Sequence, residues 1–250
     1  MTQASPTVHV EVGGVLRLHP WIDREMRHED AFSAFVSRSA LMHWSSSGRM
    51  GRAEPQLWGM NDAAVDPAAV PPAPIAWFQV AGEREPPPVV PFLACVGEVL
   101  DRFGELGLDW LRVFLPPGAG AYGLGELVSG LNWYELSNPG DRTSIVVTID
   151  GPLELASMDH ASRLLAELDR TNTGAFGFGA ASAELPIELA PARTALGVEW
   201  LPGERGRTTV TATTPEWSLD ALAWVVALTA AAQGVVGAAP GPLVVRIGRA

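Results

Sequence analysis

Residues 142–149, RTSIVVTI, and 207–213, RTTVTAT, decide the reading of the fold. Each opens with Arg-Thr and runs through β-branched residues for the length of one strand. Behind the first follow a helical period from Ser157 to Leu168 and a strand around Phe176; behind the second, Pro215 to Ala232 and the strand Leu243 to Ile247. Trp133-Tyr134-Glu135 ahead of one and Val198-Glu199-Trp200 ahead of the other complete an approximate repeat of hairpin, helix and strand. Residue identity between the copies is low, so common ancestry does not follow from it. The last helix has the clearest ends: Thr214 suits its cap, Pro215 its first turn, Glu216 the positive end of its dipole and Gly234 its stop.

Two such units side by side predict an α+β chain, with antiparallel or mixed sheets that carry helices packed on one face. Its repeated strand-helix-strand units are ferredoxin-like. Working outward, the first half has comparable content. Val8 to Leu18 reads as two strands turned at Gly13-Gly14, and Glu29 to Met42 as an amphipathic helix. Ile75 to Val80, Pro91 to about Leu106 and Trp110 to Leu115 read as strand, helix, strand, whereas Asn61 to Pro74 has no usable period and reads as a surface connection. Two lobes result: 1–128, with proline-rich connections, and 129–250, with the two approximate units. The sheet face without helices needs a cover, from the other lobe or from a second subunit in a homodimer.

Composition bounds the function. With 250 residues, 47% hydrophobic and 18% charged, the chain is too apolar for disorder, and no segment is read as crossing a bilayer. All 17 basic residues are arginine, which removes the lysine that P-loop ATPases, protein kinases and Schiff-base enzymes require. A formal charge of -11 repels phosphate backbones, so nucleic acid is a poor partner and a basic protein or cationic molecule a better one. The single cysteine, Cys95, lies in an apolar run, so it reads as a buried structural thiol. The first residues, Met1 to Thr7, lack a secretory pattern, and the expected setting is cytoplasmic.

Gly118-Ala119-Gly120-Ala121-Tyr122-Gly123 fits G-x-G-x-x-G, but Pro116-Pro117 and the missing downstream acidic strand end argue against a dinucleotide site. A related run spans Gly174 to Gly179. Read as strands, these segments put Tyr122 with Leu124, and Phe176 with Phe178, on one face and bare glycines on the other. Packing is the simpler explanation, with ligand contact from Tyr122, Phe176 and Phe178 as the functional one.

Four of five histidines, His9, His19, His28 and His43, fall in the first 43 residues. The segment from His19 to Asp30 mixes imidazoles, carboxylates and guanidinium groups, the materials of acid-base chemistry near neutral pH. A solvated polar connection would have the same composition. His43 to Arg49 adds a base, three serines and an anion-binding arginine, without a nucleophile elbow. The candidate catalytic groups are His19, Asp23, His28 and His43, and the candidate binding groups Trp21, Trp44, Arg49, Tyr122, Phe176 and Phe178. No metal-ligand spacing and no cofactor motif stands out, so neither a metal nor a cofactor is expected. Two functions fit. One is a cofactor-independent enzyme or binder acting on a small apolar metabolite, with cyclase, isomerase or lyase chemistry in an aromatic pocket. The other is a noncatalytic acidic module, such as an immunity protein, adaptor or assembly subunit, that binds a basic protein.

Overall fold

The strand β1, Thr7–Leu18, runs unbroken for 12 residues, so the hairpin expected at Gly13-Gly14 does not form. The glycines serve close approach instead: a Cβ on Gly13 would fall inside the Trp110 ring, and Gly14, at φ +149°, lies against the Gly107 carbonyl. In this computed structural model the described residues are 6–22, 30–45, 57–82, 88–119, 130–137, 140–172, 174–184, 205–237 and 241–250. Among them the chain is α+β, with eight strands and four α-helices. It divides into two compact units, Met1–Val113 with Ser218–Ala223, and Phe114–Trp217 with Trp224–Ala250.

The first unit runs β1, α1 (Ala31–Leu41), β2 (Gly59–Val65), β3 (Ala76–Ala81), α2 (Val89–Phe103) and β4 (Gly104–Leu115), with strands in the order β2-β3-β1-β4. β1 and β2 each pair antiparallel with β3. Gly104 lies against Arg17 and Leu18 while Gly14 lies against Gly107, so β1 and β4 are antiparallel too. β2 occupies part of the stretch expected to be connection. Its sequence, GMNDAAV, has little strand propensity, and it forms because β3 offers a complete ladder. α1 starts at Asp30, whose carboxylate accepts from the Ser33 amide at 2.7 Å.

Period two then sorts the sheet. Val8, Val10 and Val12 face the helices with Phe78 and Val80, and are fully buried. Phe35 of α1 packs 5.4 Å from Phe78 and 5.8 Å from Phe92 of α2. The Cys95 thiol is buried in this layer, 3.6 Å from Ser39 Oγ, and burial pushes it up to about 11, as a structural thiol requires.

The second half of the chain repeats the element order: β5 (Thr143–Gly151), α3 (Met158–Thr171), β6 (Gly177–Glu184), β7 (Gly206–Thr214), α4 (Leu219–Val236) and β8 (Leu243–Arg249). Its strand order is β8-β5-β7-β6, with β5 antiparallel to both β7 and β8, and β6 antiparallel to β7. Trp133-Tyr134-Glu135 lies in a single 3-10 turn, Asn132–Leu136, not in a hairpin; Val198-Glu199-Trp200 falls outside the described residues.

α4 corrects two expectations. It starts four residues later than its sequence signals indicate, where Ser218 Oγ accepts from the Ala221 amide, while Thr214 still belongs to β7. It passes through Gly234 and stops at Gly237, whose φ of +76° suits glycine. By length and mean hydropathy, 1.7, α4 could cross a membrane, but 72% of it is buried inside the fold, as in a core helix apolar all round.

Candidate functional site

The face of the first-unit sheet turned away from α1 and α2 is polar and yet buried. β1 contributes His9 and Glu11, at 1% and 0% exposure, and β3 contributes Trp77 and Gln79; β4 contributes Trp110 and Arg112. Register places His9 opposite Gln79 and Glu11 opposite Trp77. Arg112 Nε donates to Glu11 Oε2 at 2.6 Å, its Nη2 meets the same oxygen, and its guanidinium lies 5.6 Å from the Trp110 ring centre. His9 Nε2 is 3.7 Å from Glu11 Oε1, and its ring is 5.7 Å from that of Trp77. Burial alone would raise the Glu11 carboxyl, but His9 and Arg112 together outweigh it and hold the group below the ordinary carboxylate value.

This arrangement is costly for stability. Each buried ion loses several kcal/mol of hydration, and apolar residues of similar volume often do as well or better. Glu11 Oε1 and Gln79 Oε1, moreover, accept no hydrogen bond among the described residues, a defect of about 1–3 kcal/mol each. Buried, perturbed ionisable groups of this kind concentrate at functional sites. Val8-His9-Val10-Glu11-Val12 alternates apolar and polar, a signal that fixes the face but not its burial.

The expected site region at His19 is only partly brought together. His19 Nε2 donates to the Asp101 carbonyl at 2.9 Å, which leaves Nδ1 as the acceptor in the neutral ring, and the ring stacks on Trp21 at 4.2 Å. Both line an open groove of about 620 Å³ with Arg38, Glu98, Asp101 and Arg102. Arg38 pairs with Glu98; partial burial, then the Glu98 charge, pushes the Asp101 carboxyl up.

His43 does not line this groove; it ends the turn after α1 with φ 59° and is exposed. Trp44 packs 5.7 Å from the buried Trp58. In the second unit Phe176 is buried edge-on to Tyr134 at 5.5 Å, and Phe178 is half-buried on β6. The bare positions beside them, Gly177 and Gly179, make room for the hydroxyls of Thr213 and Thr211. Asp23, His28, Arg49 and Tyr122, and most of the glycine run after Gly118, lie outside the described residues.

Burial pushes the imidazole of His160, near the start of α3, down, against the opposing pull of Nε2 donating to Gln233 Oε1 at 2.9 Å. Among the described residues no group of three His, Cys, Asp or Glu side chains is placed to hold a metal ion. No protein-family model matches the chain, and neither does any curated protein or solved structure.

Proposed function

We propose that this chain is a cofactor-independent acid-base enzyme, or a binder, for a small apolar metabolite, and that its site is the buried polar sheet face of the first unit. The observation that carries the reading is the nearly unexposed pair of His9 and Glu11, with the part-buried Arg112 bound to Glu11, where packing alone would favour apolar side chains. His9 is the proton-transfer group in this reading. Glu11, anchored by Arg112, sets the field around it, and Trp77 and Trp110 supply the apolar walls. The reaction class stays that of a cyclase, isomerase or lyase of the kind that works by a placed base and acid. Element order and strand order support taking each unit as ferredoxin-like, the second half repeating the first. The buried single thiol suits a reducing, cytoplasmic setting.

The test is conversion of a small-molecule extract of the native cells, followed by mass spectrometry. The wild type should consume at least one metabolite, and His9→Asn should slow that conversion by about 10²–10⁴-fold while keeping the native circular dichroism. Equal turnover by the folded His9→Asn variant would sink the reading.

One observation favours the noncatalytic alternative. Trp21 and Leu41, 66% and 73% exposed, stand at the His19 groove beside Glu98 and Asp101, where a basic protein could dock. Capture of such a partner that weakens steeply with salt, with no turnover by the wild type, would decide for it.

A further inference from the structure

Resting on the site proposed above, we infer that its ligand is an uncharged ring compound carrying hydroxyl or N–H groups, which donate to Glu11 Oε1 and Gln79 Oε1. Both oxygens are acceptors, both belong to side chains more than nine-tenths buried, and neither accepts a hydrogen bond among the described residues, His9 Nε2 standing 3.7 Å from Glu11 Oε1, beyond hydrogen-bond length. A site with two such acceptors selects for donors, because a molecule without them leaves the oxygens desolvated and unmatched.

Charge selects further. Arg112 already neutralises Glu11 through Oε2, so an ammonium ligand would bring a surplus positive charge into a buried face, whereas a neutral donor brings none. The body of the ligand is set by the neighbours. His9, Trp77 and Trp110 present three rings, and the Trp110 ring occupies the space that a side chain on Gly13 would take. Glu11 sits opposite Trp77 and Gln79 opposite His9, so the two acceptors are diagonal neighbours across β1 and β3, with Cα atoms about 7–8 Å apart.

The experiment titrates the full chain with phenol and hydroquinone, and with anisole and 1,4-dimethoxybenzene, which keep the ring and lose the donors. Binding is read from the indole N–H resonances of Trp77 and Trp110 and by calorimetry. Hydroquinone should bind at least about tenfold tighter than 1,4-dimethoxybenzene, and phenol tighter than anisole. Gln79→Met, which conserves volume and removes the acceptor, should shrink that ratio several-fold with the melting temperature held or raised. If the methyl ethers bind as well as the phenols, the ligand class is wrong and the site stands. If no probe moves either indole, or if ordered water saturates both oxygens and no phenol displaces it, the ligand class and the site fall together.

Discussion

Glu11 shows how one residue couples the stability of this protein to its chemistry. Its carboxyl is pushed up by burial and pulled down further by His9 and Arg112, so the folded value lies below the unfolded one of about 4.3. A group depressed on folding contributes stability that is fully present above the unfolded value and lost as pH falls through the folded one. Glu11→Gln should therefore be less stable than the wild type near pH 7, by about 1–3 kcal/mol, because the charge-assisted hydrogen bonds from Arg112 to the buried carboxylate are lost. The variant should also lose less stability than the wild type between about pH 5 and pH 2. Calorimetric melting across that range checks both statements, and parallel acid slopes for the two proteins would refute the second. Gly13 belongs to the same account: the absence of a side chain there lets the Trp110 ring lie on the sheet.

At the scale of elements, local signals placed most helices and strands within a few residues and failed where a neighbour decided. α1 and α2 follow their apolar periods. Gly13-Gly14 signals a hairpin because Gly-Gly suits tight turns, but pairing with both β3 and β4 carries β1 through it unbroken. β2 was missed because an edge strand needs only one good partner and little propensity of its own. α4 supplies the test. Gly237, with φ +76°, should lose about 1 kcal/mol on substitution by alanine, while Gly234→Ala, at an exposed position inside the helix, should gain up to about 1 kcal/mol. Chemical denaturation of the two variants distinguishes them, and the opposite order would move the helix end back to Gly234.

For the molecule as a whole, the formal charge of -11 sets the solution behaviour. Self-repulsion of that size weakens the compact state and is screened by salt. Raising sodium chloride from about 10 to about 200 mM should therefore raise the melting temperature, by about 2–4 °C for each kcal/mol of repulsion relieved. A flat or falling melting temperature would show that local ion pairs such as Glu11–Arg112 outweigh the net charge.

The candidate site was the least legible part of the chain. Charges cluster in sequence from His19 to Asp30, and there His19 and Trp21 share a groove with Arg38 and Glu98. His9 and Glu11 carried the same chemistry in a plainer setting, an alternating strand whose polar side would ordinarily be wet.

Periodicity, caps and composition by themselves determined the α+β class, the helices and strands with strong patterns, the buried thiol and the exclusion of lysine chemistry, because these depend on residues close in sequence. The strand order, the straightness of β1 and the burial of His9 and Glu11 were decided only in three dimensions. They depend on Gln79, Trp77 and Arg112, which lie some 70 to 100 residues away along the chain and reach β1 only when the sheet assembles.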